Sequence, residues 1–347
     1  LEIDEKNYSK KKIEELFTSL LTNEKIKNIV WEKEEILDSS KLEYNKHSLH
    51  IWNKDDLNSD KMVTLGPGSI EIKENLKIKK DQILNILPET TVLMHPGVSI
   101  YSKGKTIIDG TKGKITIKRK NQDEAWGVIS INSEGSDGSV LKNLSISGGS
   151  SAIIENTKFS GMLSLFWNKN IIIQNIEVTN NQIGDDTIHF SNSKGIIKNL
   201  DVHKCFGDCI DFDYSRYELE NLNINKSGND GLDFMESTIN GNNIRISDAM
   251  DKGISAGENS KINIKNVIIN NSLIGVAVKD LSKVLLDNVD FYKNSVAIDV
   301  YRKNWRYKKE GEINLNNFKF SDNVLDISTI NLNALKFDTN NLNIIKK

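Results

Sequence analysis

Apolar and polar residues alternate along most of this chain in short segments that recur at a nearly constant interval. One recurring segment is an Asn followed by alternating apolar residues, as in Asn199-Leu-Asp-Val and Asn221-Leu-Asn-Ile. Such alternation predicts β-strands. The intervals between the strongest copies are 22, 22, 23 and 22 residues. These copies begin at Asn199, Asn221, Asn243, Asn266 and Asn288, and weaker ones begin at Asn143, Asn175, Asn317 and Asn341.

A second recurring segment lies between the first ones and carries one apolar anchor in each copy. The anchors follow one another at intervals of 22 residues without exception. They are Ile188, Ile210, Leu232, Ile254, Val276 and Ile298. Gly, Asn, Asp and Ser separate the segments, which is typical of turns between strands.

This period predicts an all-β solenoid. A unit of 22 residues made of short strands has no room for a long helix and cannot bury its own apolar face, whereas stacked units bury a continuous core. The period is too short for a propeller blade, and the consensus of leucine-rich repeats is missing. We therefore predict a right-handed parallel β-helix whose recurring Asn side chains form a hydrogen-bonded ladder along the axis.

The repeat assigns residues 66–347 to the β-helix and leaves residues 1–65 as a non-repeating N-terminal segment. In that segment Ile13, Leu16, Phe17, Leu20 and Leu21 are spaced as one face of an amphipathic helix. We expect this segment to cap the open end of the solenoid core. The alternative is a linker to an upstream domain.

Outward side chains should form rows, because neighbours of an inward strand residue point to solvent and adjacent coils are about 4.8 Å apart. The row directly after the anchors contains His189, Asp211, Asp233 and Ser255. The row two positions before the anchors contains Asp186, Asp208, Asp230 and Lys252. A third row, just beyond the strands, is predicted to contain Ser191, Asp213, Glu236 and Glu258. The rows together predict an acidic cluster on one face.

Crowded carboxylates repel one another, so some of their pKa values should rise, as they do at many functional sites. The candidate catalytic residues are Asp208, Asp211, Asp230 and Asp233, with His189 and Lys252 as candidates for proton transfer. Asp is a poor strand former, which favours a functional role in mid-strand. For the row before the anchors, the alternative is that Asp caps turns.

Three chemistries fit this cluster. Two carboxylates on adjacent coils suit glycoside hydrolysis. Carboxylates on neighbouring strands also suit Ca²⁺, which would assist a lyase or C5-epimerase acting on a uronate with His189 or Lys252 as base. The third chemistry is structural ion binding. The candidate metal ligands are Asp186, Asp213, Glu236 and Glu258.

Further along the chain the same face becomes basic and aromatic. Aromatic faces stack on sugars, and Arg pairs with carboxylates or phosphates through two hydrogen bonds, so this segment predicts a subsite for an anionic polysaccharide. The alternative is an irregular coil in which Trp305 covers core. The interval from Asn288 to Asn317 is 29 residues, which predicts a loop here. The candidate binding residues are Lys279, Tyr301, Arg302, Lys303, Trp305 and Arg306.

Composition narrows the possible partners. The chain has 46 Lys and Arg against 48 Asp and Glu, and a net charge of -2 argues against nucleic-acid binding. No apolar run approaches the roughly 20 residues of a membrane span. Cys205 and Cys209 match neither a zinc pattern nor Cys-x-x-Cys, so they are predicted to be thiols. A start at Leu1 is compatible with removal of an export segment.

The coils from about Trp126 to Tyr307 resemble the bacterial right-handed parallel β-helix repeat superfamily, which includes pectate lyases, polygalacturonases and alginate epimerases. Segments such as Asp208-Cys-Ile-Asp-Phe-Asp and Asp251-Lys-Gly-Ile-Ser are similar to a subgroup that accompanies CotH-like kinase domains. The resemblance implies the fold and an extracytoplasmic location. It implies no reaction, because the Asp pairs match polygalacturonases only loosely and the Asp-Pro-His-Asp run of alginate epimerases is missing.

These observations predict a carbohydrate-active protein that acts on an anionic surface or capsular polysaccharide through the acidic cluster, as a hydrolase, lyase or epimerase. The alternative is a non-catalytic glycan-binding or cell-envelope scaffold module.

Overall fold

The computed structural model describes residues 61–340 and 342–346, and within them two parallel sheets form the walls of a solenoid. The all-β prediction with coils of about 22 residues is confirmed. The predicted N-terminal helix and Asn341 lie outside the described residues, and the strand that follows Asn341, Ile344–Lys346, pairs in the second sheet rather than with the Asn repeat. The first described strand begins at Met62, slightly before the predicted start of the solenoid.

Sheet 1 has 14 strands, all paired in parallel. They are Met62–Leu65, Gly68–Ile72, Ile83–Ile86, Thr90–Met94, Lys105–Asp109, Ile115–Arg119, Val140–Ser147, Ile171–Thr179, Lys194–Cys205, Arg216–Ser227, Thr238–Ala249, Lys261–Asn270, Lys283–Tyr292 and Glu312–Ser321. Sheet 2 has 12 parallel strands. They are Leu76–Ile78, Ile100–Ser102, Ile129–Asn132, Gly161–Phe166, Asp186–Ser191, Asp208–Asp213, Leu232–Met235, Lys252–Gly257, Ile274–Lys279, Val296–Tyr301, Leu325–Thr329 and Ile344–Lys346.

Three smaller elements complete the described residues. Strands Ala152–Ile154 and Thr157–Phe159 form an antiparallel hairpin. Two single-turn 3₁₀ helices span Glu134–Ser136 and Leu332–Ala334. No described helix has the length and apolar character needed to cross a membrane.

The core consists of inward rows that run from coil to coil. The six predicted anchors are all fully buried, and the register pairs each anchor with the next. Phe190, Phe212 and Phe234 form a second inward row, with ring centroids 4.8 and 5.4 Å apart. The 22-residue spacing therefore places chemically equal side chains on top of one another.

The predicted Asn ladder is present, but its place in the strand differs from the prediction. Asn199, Asn221 and Asn243 each donate from the side-chain amide to the preceding ladder Asn at 2.7–2.8 Å. These residues bend long strands in the middle rather than opening them, since their φ values are 54° to 58°. Asn tolerates this left-handed conformation better than most residues, so it serves both as the bend and as the ladder.

A second ladder, which sequence analysis missed, runs along another corner. Backbone N–H groups donate to the serine Oγ of the next coil at 2.9–3.1 Å. The serines involved are Ser193, Ser215, Ser237, Ser260 and Ser282, all of which are buried. They satisfy corner N–H groups that would otherwise be buried without a partner.

One coil gains a residue at one corner and loses it at the next. Sheet 1 pairs Ile239 with Ile262, an offset of 23, while sheet 2 pairs Ile254 with Val276, an offset of 22. The extra residue lies in the turn at Glu258 and Asn259, whose φ values are 51° and 61°. The corner before Ile274 is correspondingly shorter, so both sheets stay in register.

Candidate functional site

The acidic cluster lies on the outer face of sheet 2. The register pairs His189 with Asp211, and Asp211 with Asp233, in the row directly after the anchors. It also pairs Asp186 with Asp208 in the row before the anchors. Three adjacent coils thus bring the predicted catalytic carboxylates together.

The third row was predicted incorrectly at two positions. Asp213 pairs with Met235, and Met235 pairs with Gly257. Glu236 and Glu258 therefore lie one residue later, in the turns after the strands, because Glu236 follows Asp213 by 23 residues whereas the register offset is 22. They are displaced from the row that contains Asp213.

His189 is surrounded by carboxylates. Its Nε2 lies 3.3 Å from Asp213 Oδ2 and 3.6 Å from Asp211 Oδ2, and its Nδ1 lies 3.6 Å from Asp186 Oδ2. The Ser160 hydroxyl is 2.7 Å from Nδ1. With its side chain only 12% exposed, the imidazole is positioned to orient these acids and to exchange protons with them.

A second group consists of Asp208, Asp230 and Asp233, whose ligand oxygens lie within 4.8 Å of one another. Asp208 Oδ1 accepts the Asp230 backbone N–H and the Asn229 amide, both at 2.7 Å. Asp230 Oδ1 accepts the Lys252 backbone N–H at 3.0 Å. Asp208 and Asp230 therefore cap the next coil and also contribute to the cluster.

Two groups within the described residues are close enough to hold a metal ion. One contains Asp208, Asp230 and Asp233, and the other contains Asp186, His189 and Asp211. Of the four predicted metal ligands, only Asp186 belongs to such a group. Asp213 lies 3.3 Å from His189 Nε2 but outside both groups, and the two glutamates lie in turns.

Burial shifts several of these acids toward the neutral form. It raises the pKa of Asp208 to about 7, with added repulsion from neighbouring carboxylates. It raises the pKa of Asp186 to about 6, although His189 opposes the shift. Burial and the surrounding carboxylates raise the pKa of Asp211 well above its usual range. Carboxyl groups on this face therefore lose their protons at a higher pH than ordinary aspartates do.

We expect Asp208→Asn to make stability less dependent on pH. A carboxyl whose pKa is higher in the folded chain stabilises fully below its unfolded pKa of about 4, and this contribution is lost as pH rises through about 7. At pH 8 the free energy of unfolding of the variant should therefore exceed that of wild type by at least about 1 kcal/mol. At pH 4 the two free energies should be equal. Urea unfolding at both pH values measures this. Asp201→Asn, on an exposed part of sheet 1, is the control, and an Asp208→Asn effect of equal size at both pH values would contradict the argument.

Lysine and tyrosine side chains close the C-terminal side of the cluster. Lys252 Nζ lies 3.3 Å from Asp230 Oδ1 and also contacts Asp251. Burial opposes the charge of Lys252, but these two carboxylates raise its pKa overall. Lys279 is buried and donates to Ser255 Oγ at 2.7 Å. Burial raises the pKa of Tyr301 to about 12 while nearby Lys252 opposes it, so Tyr301 faces the same side chains.

The predicted loop is present between Tyr301 and Glu312, and it extends beside the turns that follow sheet 2. Asp280 Oδ1 accepts the backbone N–H groups of Lys303 and Asn304 at 2.8 and 2.9 Å. Arg302, Lys303 and Arg306 are exposed. Trp305 is 82% exposed, so it does not cover the core.

The hairpin Ala152–Phe159 closes the N-terminal side, which sequence analysis did not anticipate. Phe159 packs with Tyr101, Val128 and Phe166 in a small apolar cluster. Its turn residue Glu155 pairs with Lys77 and Lys103 and accepts the Tyr101 hydroxyl. The Phe166 ring lies edge-on to His189, with centroids 4.8 Å apart.

The two cysteines form a disulfide, so the prediction of thiols is wrong. Cys205 ends one strand and Cys209 lies in the next, and the corner between them brings their Cα atoms to 5.3 Å. That distance is within the range of disulfides. The bridge encloses Phe206, Gly207 and Asp208, so it braces the turn that carries one acid of the cluster.

Comparison with known proteins agrees with this architecture. Residues 186–342 match the family described as right-handed beta helix region. No curated protein matches the chain. The structure of pectate lyase Pel9A is 11% identical, with 74% of this chain and 73% of that chain covered and a TM-score of 0.46.

Two further solved structures are similar at the same level. PfbA, a surface adhesin of Streptococcus pneumoniae, is 11% identical over 80% of this chain and 85% of its own, with a TM-score of 0.41. The periplasmic alginate epimerase AlgG is 13% identical over 78% and 84%, with a TM-score of 0.45. Such likeness concerns the fold alone, and the subgroup that accompanies CotH-like kinase domains stays a prediction. The parallel register of both sheets and the match over residues 186–342 agree with a parallel β-helix fold.

Proposed function

We propose that this protein hydrolyses glycosidic bonds in an anionic polysaccharide, with Asp211 as general acid and Asp233 as the partner carboxylate. The observation that carries the proposal is an outward, partly accessible carboxyl group whose pKa is raised well above its usual range. Such a group keeps its proton to a higher pH than an ordinary aspartate and can donate it to a leaving oxygen.

The geometry of the pair supports this chemistry. Asp211 and Asp233 are register partners on adjacent coils, so their strands are about 4.8 Å apart. Retaining glycosidases separate their two carboxyl groups by about 5–5.5 Å and inverting enzymes by about 6.5–9.5 Å. The rung spacing favours the retaining arrangement, in which Asp211 protonates the leaving oxygen and Asp233 attacks the sugar. Ionised Asp211 then takes a proton from a water molecule, whose oxygen displaces Asp233 from the sugar, so both carboxyl groups return to their starting states. His189 Nε2 lies 3.6 Å from Asp211 Oδ2, where it can orient that carboxyl group.

The distribution of charge supports an anionic substrate. Asp186, Asp208 and Asp211 lie toward the N-terminal side of the site, while Lys252, Lys279 and the exposed loop cations lie toward its C-terminal side. A sugar carboxylate bound at the C-terminal side would face ammonium and guanidinium groups, which pair well with it.

The disulfide Cys205–Cys209 supports an extracytoplasmic location for this activity. Disulfides persist in oxidising compartments and are rare in the reducing cytosol. Surface and capsular polysaccharides would be accessible there.

A second candidate is a Ca²⁺-assisted lyase or epimerase, favoured by the group Asp208, Asp230 and Asp233. Three carboxylate oxygens within 4.8 Å of one another suit a shared ion with Ca–O distances of about 2.3–2.6 Å. When bound, the ion would neutralise a uronate carboxylate and so acidify the neighbouring proton. Lys252 is a poor base for this reaction because its pKa is raised. Hydrolysis, which uses the carboxyl pair on adjacent coils and needs no ion, is therefore the first candidate.

We expect turnover of at least one anionic polysaccharide in a panel of polygalacturonate, alginate and hyaluronate. New reducing ends without an unsaturated product indicate hydrolysis, whereas an unsaturated product absorbing in the ultraviolet indicates a lyase. Asp233→Asn should lower the rate about 100-fold or more, because it removes the partner carboxylate. Asp201→Asn should leave it unchanged. Binding without product would instead indicate a non-catalytic glycan-binding module.

The second candidate predicts a rise in thermal stability with Ca²⁺. A ligand at 100 times its dissociation constant adds about 2.7 kcal/mol to the free energy of unfolding. The rise should occur in wild type and in Asp201→Asn, and be absent in Asp233→Asn. A melting temperature that Ca²⁺ does not change would remove the Ca²⁺-assisted reaction from consideration.

A further inference from the structure

The strands of sheet 2 end in a row of equivalent turn residues, here called the turn edge. Backbone hydrogen bonds link the row rung by rung: Trp167 N–H donates to Ser191, Asn192 N–H to Asp213, and Tyr214 N–H to Met235. All the turn residues adopt left-handed backbone conformations with φ between 46° and 55°. They are Trp167, Asn192, Tyr214, Glu236 and Glu258.

Trp167 and Tyr214 are unusual residues for the backbone conformation of the turn edge. The left-handed conformation costs a bulky side chain about 1–2 kcal/mol, whereas Asn tolerates it, and Asn192 holds that position in the coil between them. Trp167 and Tyr214 are also 59% and 48% exposed. Backbone strain combined with exposed aromatic surface is a reason to look for a binding role.

A third aromatic ring is brought to the same edge by the loop after Tyr301. The Tyr307 hydroxyl donates to Glu236 Oε1 at 3.2 Å. Glu236 is the turn residue one rung beyond Tyr214, so three rings follow the edge in order. Trp305, at 82% exposure, extends from the same loop.

The outward row that contains His189 and Asp211 is not open to a ligand along its whole length. On the N-terminal side Ser130 and Ser164 are fully buried, and on the C-terminal side Ser255 and Ala277 are also fully buried. His189 and Asp211 lie between these covered parts, with side chains 12% and 17% exposed. A long ligand that reaches Asp211 therefore has its open lengthwise route along the turn edge.

We propose that a polysaccharide chain lies lengthwise along the turn edge, with its sugar rings stacked on Trp167, Tyr214 and Tyr307. The proposal takes the ligand class from the proposed function but does not require catalysis. Trp167 and Tyr214 are two rungs apart, about 10 Å, so one chain can contact both rings. Asp213 lies between Tyr214 and the Asp211 row, so a chain on this track passes the acidic pair.

The polysaccharide that fits the turn edge is negatively charged. Arg302, Lys303 and Arg306 lie on the loop that carries Tyr307, at the C-terminal end of the aromatic row. Guanidinium groups pair carboxylates or sulfates through two hydrogen bonds. A uronate-containing or sulfated chain therefore fits better than a neutral glucan.

The test replaces each ring with the residue that the intervening coil already uses. Trp167→Asn and Tyr214→Asn should each weaken retardation in affinity gels containing polygalacturonate, alginate or hyaluronate by roughly three- to tenfold, and the double variant by more. Both variants should melt at or above the wild-type temperature, because Asn relieves the backbone strain. Weaker binding with unchanged or higher stability separates a binding role from a structural one.

Phe206→Ala is the matched control, since Phe206 is an exposed ring at the opposite edge of sheet 2. It should leave binding unchanged. The proposal is overturned if the double Asn variant binds as wild type does, if Phe206→Ala weakens binding as much as Tyr214→Asn, or if wild type binds none of the three polymers. Binding lost in the Asn variants without any turnover in wild type would reject the proposed hydrolysis and leave the track standing.

Discussion

Asp211→Asn is expected to lower the rate of polysaccharide hydrolysis by about 10²- to 10⁴-fold, the usual contribution of a general acid. The amide has nearly the same shape as the protonated carboxyl, so the strand and its inward neighbours Ile210 and Phe212 should remain packed. It carries no proton that a leaving oxygen can take. The rate of product formation at substrate saturation measures the effect.

The pH dependence provides a sharper form of the same experiment. In wild type, activity should fall as pH rises through the raised pKa of Asp211, because the acid form is lost. This alkaline limb should be absent from the residual activity of Asp211→Asn. Asp201→Asn should show the wild-type profile. An Asp211→Asn variant with near wild-type turnover would show that another group donates the proton.

The second large effect is expected in the core. Phe212→Ala should lower the free energy of unfolding by about 3–5 kcal/mol, since it removes a fully buried ring and leaves a cavity. The lost ring lies between Phe190 and Phe234 and beside Tyr217, at centroid distances of 4.8 to 5.4 Å. The packed coils above and below limit how far the site can collapse.

Chemical denaturation measures this loss, and Ile196→Ala is the control on the exposed outer face of sheet 1. That substitution should cost less than about 1 kcal/mol, because Ile196 is already 43% exposed. A loss below about 1 kcal/mol for Phe212→Ala would mean that the aromatic row contributes little to stability.

The solenoid and its inward rows were predictable because they rest on periodicity alone. Anchors at a strict interval, such as Ile188 and Ile210, define which neighbours face outward, so the row from His189 through Asp211 to Asp233 followed directly. The Asn ladder followed from the same interval. Its position at a bend did not, because alternation of apolar residues continues across a left-handed residue.

The parts that sequence analysis missed depend on features without a period. The hairpin Ala152–Phe159 is an insertion whose packing against Phe166 has no counterpart in other coils. The disulfide depends on how tightly one corner folds back, which a spacing of four does not reveal. Glu236 and Glu258 were assigned to the wrong row because the spacing of 23 residues from Asp213 to Glu236 differs by one from the coil offset of 22.

The extra residue in the turn at Glu258 and Asn259 shows that the corners of the solenoid can change in length while the stacked strands stay the same. One corner is a residue longer and the next is a residue shorter, so the register of both sheets is kept. The buried rows therefore need no matching substitution. The loop after Tyr301 is a longer insertion at the same kind of corner, and the strands on either side of it still pair, Lys279 with Tyr301 and Lys283 with Glu312. Loops that recognise a ligand can therefore be exchanged or grafted at these corners while the stack of coils that supports them stays unchanged.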